Sequence, residues 1–339
     1  MKVYTINSLK VKDILNELSE LMNASLKENF TEYILEIPEE LGTGEIQGVN
    51  FPNGVGMLSF KGKFTHNTAI NFRSEQVHPL KFIYIVMGNL IHSTKPDAER
   101  KNLEELQSAI ISTAANAGHI YKFKENEEFF FQSVEIDRKK FQSHFDYQLE
   151  KLPPYFHEIF ADTKGENELF YKSNYSLQIS EIIRDIENFK KEGFIRINYI
   201  GAKSLEILAA MLSQYEDDTK NTPDQKIIRK SDVKIIHNIA DYIKDNYGEF
   251  KNIDELSKMF SINKGKIQQG FQIQFQQTVN EYLNTVRLNK AIELLNEGEK
   301  NISEIVYTLG LSSRSYFSKI FKERFKILPS EYVKHKHLV

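Results

Sequence analysis

The chain has 339 residues, 40% hydrophobic and 27% charged, which suits a folded globular protein with room for two separate cores. It contains no cysteine, which excludes disulfide frameworks, cysteine-ligated zinc and a thiol nucleophile. Its net charge of −3 is uneven: residues 231–339 carry 16 Lys/Arg against 13 Asp/Glu, residues 1–230 carry 28 against 34, and from 301 onward the balance is 7 to 3. A basic end on an acidic body fits a nucleic-acid-facing module, and a lysine-rich solvated surface gives the same count.

The N-terminal stretch MKVYTINSLKVKDILNEL lacks the apolar core of a signal peptide, and no later run is long enough to span a bilayer. A cytoplasmic location with no membrane partner is the expectation. Residues 31–136 read as β structure, with alternating runs at Glu32–Ile37, Gly56–Phe60, Lys81–Val86, Ala109–Thr113 and Glu128–Ile136. Gly42, Gly44, Gly48, Asn53-Gly54 and Gly88-Asn89 read as turns between them. So many short strands imply an antiparallel sandwich or barrel. Ile179, Ile182, Ile183, Ile186 and Phe189 then fall at helical spacing, as do Leu205, Leu208, Leu212 and Tyr215. These helices pack on the β domain or pair with a second subunit. Residues 216–230 are polar, hold Pro223 and lack periodicity, which reads as a linker between a domain at 1–215 and one at 231–339.

Residues 251–333 state one pattern twice. Lys251-Asn252-Ile253-Asp254-Glu255-Leu256 recurs as Lys300-Asn301-Ile302-Ser303-Glu304-Ile305. Ile267, Phe271, Phe275, Glu281 and Tyr282 recur as Phe317, Phe321, Phe325, Glu331 and Tyr332. Each copy opens on a capping box, Asn252 with Glu255 and Asn301 with Glu304. Short helices burying Ile253, Leu256 and Phe260, or Ile302, Ile305 and Leu309, follow. Breaks come at Ser261-Ile262-Asn263 and Gly310-Leu311-Ser312. The second helix of each copy puts an aromatic stripe inside. Left outside are Lys264, Lys266, Gln268, Gln269 and Gln272 in the first copy, and Ser313, Arg314, Ser315, Ser318, Lys319 and Lys322 in the second. Donors and small hydroxyls of these kinds reach base edges and phosphates in a major groove, although most helices have a polar solvated face. Recurrence behind the same cap, helix and turn favours DNA. Val279–Asn296 reads as one long amphipathic helix spacing the two heads.

The segment from Arg287 to Tyr332 resembles the C-terminal signature of the AraC/XylS family of bacterial transcription regulators. The matching residues are Arg287, Ala291, Leu295, Ile302, Ile305, Gly310, Ser315-Tyr316-Phe317, Phe321-Lys322, Phe325, Pro329 and Tyr332. The resemblance implies two helix-turn-helix units with recognition helices at Asn263–Phe275 and Ser313–Phe325. Their base-facing residues would be Lys266, Gln268 and Gln269, then Arg314, Ser315, Ser318 and Lys319. It further implies an α+β multidomain chain: an N-terminal antiparallel β-barrel or sandwich, cupin-like, with following helices, then an all-α double helix-turn-helix. Expected partners are double-stranded promoter DNA, RNA polymerase, a small-molecule effector and a second copy in a homodimer, with activation as the expected outcome. The Gly270-Phe271 pair and the stretch Tyr199–Leu208 are similar to the branch sensing iron–siderophore complexes, which makes such a complex a candidate effector.

Three departures stand out. Gln276 and Lys326 occupy places where the family usually has Gly, and Leu328 replaces a usual Thr. Gly265 and Gly270 lie inside the first recognition helix, where each is expected to cost about 1 kcal/mol relative to Ala. The second unit is therefore expected to hold more of the specificity. A cupin-type metalloenzyme fused to a DNA-binding tail is the alternative from another class, and an N-terminal half that only dimerises or docks a protein is another. His66, His78, His92 and His119 are scattered singly in the β region, so no metal site, cofactor or catalytic residue is expected. His335 and His337 lie in the tail. Phe51, Phe60, Phe64, Phe72, Phe82, Tyr84, Phe123, Phe129, Phe130 and Phe131 suit either an apolar pocket or a plain core.

Overall fold

The computed structural model describes residues 1–145, 148–173, 176–220, 230–250 and 252–336. The chain divides into two units, Met1–Gln225 and Lys226–Val339. In the first, the elements in order are β1 (Lys2–Ile6), α1 (Val11–Met22), β2 (Leu26–Asn29), β3 (Glu32–Glu36), β4 (Gly42–Asn50), β5 (Val55–Phe64), β6 (Thr68–Phe72) and β7 (Leu80–Met87). There follow β8 (Asn89–Ser93), β9 (Lys101–Glu104), β10 (Ser108–Ser112), β11 (His119–Phe123), β12 (Glu128–Ile136), α2 (Arg138–Phe145), α3 (Pro154–Ala161), β13 (Leu169–Lys172), α4 (Leu177–Asn188) and α5 (Gly193–Lys220). The strands form a five-stranded sheet, β1-β6-β11-β8-β9, and an eight-stranded sheet, β13-β10-β7-β12-β5-β4-β3-β2. Pairing is antiparallel throughout except between β1 and β6.

Alternation decides what the sheets enclose, since every second side chain of a strand faces inward. Phe60, Phe64, Phe123, Phe129 and Phe131 are all buried in one cluster, with Phe60 and Phe131 stacked at 4.7 Å between ring centroids. The aromatic runs are therefore a filled core. Gly88, with φ of 78°, lets the chain leave one sheet for the other between β7 and β8, and a Cβ there would lie 2.1 Å from Glu128 O. Gly42, Gly44 and Gly48 lie within β4 rather than in turns. They are required by close approach: a Cβ on Gly44 would meet Lys61 O at 2.1 Å, and one on Gly48 would meet Val11 of α1 at 2.2 Å.

In α4, Ile179, Ile182, Ile183 and Ile186 are buried as their spacing predicts. The buried stripe of α5 is Ile200, Ser204, Ile207, Leu208, Met211 and Tyr215, which leaves Leu205 and Leu212 half-buried on its flank. Arg196 pairs with Glu32 of β3 at 2.8 Å, both largely buried, and ties the start of α5 to the sheet. Residues 216–220, read from composition as the start of a linker, continue this helix. Lys220 bonds Glu216 one turn back at 2.6 Å, and Thr219 donates to Tyr215 O. Residues 221–229 of that linker lie outside the described residues, as do Lys251, His337 and the side chain of His335, and its last residue, Lys230, already opens the next helix. Among the described residues no helix is long and apolar enough to cross a membrane.

The second unit is helical: α6 (Lys230–Asp245), α7 (Ile253–Met259), α8 (Lys264–Phe275), α9 (Val279–Glu297), α10 (Ile302–Thr308), α11 (Arg314–Phe325) and α12 (Pro329–Lys336). Leu256, Ile267, Phe271 and Tyr282 bury in the first copy, and Ile305, Leu309, Phe317, Ile320 and Phe321 in the second. Ile253, Phe260, Phe275, Ile302 and Phe325 are half-buried at the edges of these cores. The second copy closes a full capping box, with Asn301 accepting from the Glu304 amide (3.1 Å) and Glu304 accepting from the Asn301 amide (2.7 Å). In the first copy only the forward bond to Asn252 forms, at 3.2 Å. The corresponding entry to α9 has both Thr278 and Glu281 in a capping box, whereas before α12 Leu328 offers only its amide to Glu331 (2.8 Å).

Gln276 and Lys326 end α8 and α11 at φ of 55° and 65°, so non-glycine residues sit in the left-handed region at both places. Gly270 departs from the propensity argument: a Cβ there would lie 2.4 Å from Ile236 of α6, so glycine allows the two helices to meet. Gly265 faces only its own cap, with Asn263 Oδ1 at 3.1 Å. Gly270→Ala is expected to destabilise the full chain by about 1–3 kcal/mol through overpacking. Lys326→Gly should stabilise it by about 1 kcal/mol. Urea titration followed by circular dichroism checks both; a stabilised Gly270→Ala chain would mean that α6 does not press on α8 as described.

Candidate nucleic-acid interface

Each recognition helix is set by its cap. Asn263 Oδ1 accepts from the Gly265 amide (2.7 Å) and starts α8; Ser313 Oγ accepts from the Tyr316 amide (3.2 Å) and starts α11. Ser313 is thus committed to the backbone and does not point freely outward. With Ile267 and Phe271, or Phe317 and Phe321, fixed inside, helical geometry turns residues 264, 265, 268, 269 and 272 outward in α8 and 314, 315, 318, 319 and 322 in α11. These sets superpose at an offset of 50. Lys264, Gln269 and Gln272 are exposed, as are Arg314, Ser315, Lys319 and Lys322, while Gln268 and Ser318 are half-buried.

The two faces differ in what their side chains already hold. Lys264 is ion-paired with Asp254 of α7, and Lys266 with Asp232 of α6 at 2.9 Å. Gln268 accepts from the Val279 amide through its Oε1 (3.3 Å), which ties it to the start of α9. Gln269 and Gln272 remain as the open part of the first face. On the second, Arg314, Lys319 and Lys322 enter no ion pair among the described residues, so three cations face solvent.

Three further residues of the helical unit stand out. Tyr316, exposed beside the second face, occupies the place of Lys266, and its hydroxyl accepts from Asn284 Nδ2 (3.2 Å). Tyr307 of α10 is 86% exposed. Both are large rings left in water, Tyr316 on the recognition helix itself and Tyr307 on the helix before it, a signal readable only once the inward stripe is known. Arg287, by contrast, is buried: its Nε donates to Tyr247 O (3.0 Å), so it braces the loop after α6.

The first unit holds a separate polar cluster. His92 and His119, on neighbouring strands β8 and β11, approach to 3.0 Å between ring nitrogens, and His78 sits edge-on to His119 with 5.1 Å between centroids. Beside them Lys81 and Glu135 form an ion pair that is almost wholly buried. Three of the four histidines that are scattered in sequence are therefore gathered inside the sandwich, and only His66 stays exposed. Even so, among the described residues no three acidic or histidine side chains are disposed to hold a metal ion. His78 Nε2 and His119 Nε2 are buried without a hydrogen-bond partner. A cleft of about 630 Å³ reaches this end, with Lys10, Asn50, His78, Glu135, Arg138 and Lys140 in its walls. Burial, and then the Lys81 charge, lower the pKa of His78 to about 4 and of His92 to about 3, and hold His119 well below its ordinary value.

Residues 256–335 match the family described as "Helix-turn-helix domain". Over 154 residues the chain is 27% identical to the HTH-type transcriptional activator RhaS of Escherichia coli O6:H1, a match covering 40% of this chain and 55% of that one. Over 149 residues it is 29% identical to Histidine kinase P4 of Formosa agariphila, covering 42% of this chain and 10% of the kinase. The chain thus spans about half of the one relative and a tenth of the other. Among solved structures, ToxT from Vibrio cholerae O395 is similar over 83% of this chain and 97% of its own, at 15% identity and a TM-score of 0.30.

The buried histidines dictate a pH response. They protonate near 6.5 when unfolded but resist protonation when folded, so the unfolded state binds more protons below that pH. Stability is therefore expected to be full above about pH 6.5 and to fall towards pH 4, by about 1.4 kcal/mol per pH unit for each histidine. Thermal unfolding of the full chain from pH 7 to 4.5 tests this, with His92→Asn flattening the slope. A profile that is flat in the unsubstituted chain would contradict a neutral buried cluster.

Proposed function

The C-terminal unit belongs to the AraC/XylS family of helix-turn-helix domains, and from that premise we propose that the chain is a sequence-specific DNA-binding transcription regulator, acting as an activator in the cytoplasm. The observation that carries this reading is the duplicated recognition helix, and above all the free cations of α11. Arg314 and Lys319 suit bidentate or point contact with guanine edges, Lys322 and Ser315 suit phosphates, and Gln269 and Gln272 suit adenine. Two such heads on one body read neighbouring stretches of one duplex face. RNA polymerase is the proposed protein partner, and a second copy the proposed means of reading a repeated site.

We assign residues 1–215 a regulatory role, with a small-molecule effector. What supports this is the polar end of the sandwich: His78, whose Nε2 has no hydrogen-bond partner, and Glu135 of the buried ion pair stand in the wall of a cleft, where a polar ligand can satisfy them. An iron–siderophore complex is one arm of the test rather than the conclusion.

Titrating the full chain onto duplex DNA at several salt concentrations is expected to show binding that weakens steeply with salt. Arg314→Ala should relax preference at one base position, at about 1–3 kcal/mol. Salt-insensitive or absent binding would overturn the DNA reading; an unchanged preference in Arg314→Ala would overturn the role given to α11. For the effector, a thermal-shift panel of sugars, organic acids and iron–siderophore complexes should stabilise the chain in one arm. That shift should vanish in His78→Asn, and a shift that persists there would place the ligand elsewhere.

A further inference from the structure

We infer that Asp232 and Asp254 are specificity-setting residues of the DNA interface, because they occupy the lysines of the first head and so keep it from gripping DNA of any sequence. The inference rests on the DNA-binding reading and concerns how its two heads divide the work. Binding without regard to sequence is an electrostatic exchange, in which each cation that neutralises a phosphate releases about 0.9 of a counterion. A lysine already paired with a carboxylate brings no net charge to that exchange, and opening the pair leaves the carboxylate facing the polyanion.

The duplication supplies an internal control. Lys264 and Arg314 occupy equivalent places at the start of the two recognition helices, but Asp254, which holds Lys264, is replaced in the second copy by Ser303. Lys266 likewise answers to a neutral Tyr316, and its partner Asp232 comes from α6, outside the repeated cap and turn. One fold therefore appears with its cations masked and again with its cations free. The masking is loose: Lys264, Lys266 and Asp254 are each about half exposed, and ion pairs so placed are weak in water. A matched site that engages Gln269 and Gln272 can open them, whereas a mismatched one offers only charge.

The test measures the salt dependence of full-chain binding to two duplexes: one selected by the unsubstituted chain from a random pool, and a scrambled one of equal length. In Asp232→Asn/Asp254→Asn the scrambled duplex is expected to bind about tenfold tighter, with a log–log salt slope steeper by about 1–2, as two released lysines require. The selected duplex should gain less, so the ratio between them falls. In the otherwise unsubstituted chain, Lys319→Met should weaken scrambled binding and Lys264→Met should not. In the Asp254→Asn background Lys264→Met should weaken it. An unchanged slope in the double variant, or a Lys264→Met loss equal to that of Lys319→Met, would overturn the inference while leaving DNA binding intact. Failure of the unsubstituted chain to bind either duplex would instead overturn the function itself.

Discussion

The geometry of the helical unit depends on the aromatic stripe that pins each recognition helix from behind. Phe271 and Phe321 are fully buried, the first against Phe275 and Tyr282, the second against Phe325 and Tyr332. Once those rings are seated, 3.6 residues per turn leave no choice about which side chains meet solvent. Burial of large apolar groups is thus what aims Arg314, Lys319 and Lys322 outward, and a cap at each end fixes where the helix starts and stops. The outward face follows from core packing rather than from any contact of its own.

On that shared frame the two copies have diverged in charge. The first keeps two lysines but surrounds them with Asp232 and Asp254, ties Gln268 to α9 and fits Gly270 against Ile236. The second leaves three cations unpaired among the described residues and completes the capping box of its supporting helix. Masked lysines with open amide side chains suit the weaker, adenine-directed readout; the unpaired cations of the second suit both grip and the stronger, guanine-directed readout. The expectation of unequal heads thus has a basis in ion pairing beside the helix propensity of two glycines, and at Gly270 the close approach of Ile236 opposes the propensity argument.

Legibility followed locality. Asn252, Asn301 and the aromatic periods act within a few residues, so both helix-turn-helix units were readable from spacing, whereas the caps at Asn263 and Ser313 and the left-handed ends at Gln276 and Lys326 were not. Contacts between distant segments were not readable. Asp232 and Lys266 are 34 residues apart, and Ile236 meets Gly270 across two helices. Gly42, Gly44 and Gly48 read as turns because a glycine needed for close packing looks, in sequence, like one needed for a bend. The histidines at 78, 92 and 119 seemed isolated because nothing local reports that β8 and β11 pair side by side. Residues 216–220 were polar enough to pass for a linker, yet their Glu-to-Lys spacing suits the helix they continue.

The division of labour between the heads is tested most directly by selecting duplexes from a random pool with the full chain and reading the preference base by base. Two blocks about 10 base pairs apart are expected, each on the same face of the duplex. One should be strongly specified and rich in guanine, the other weaker and biased to adenine. A single block, or two blocks of equal strength and like composition, would contradict a fold used twice with unequal grip.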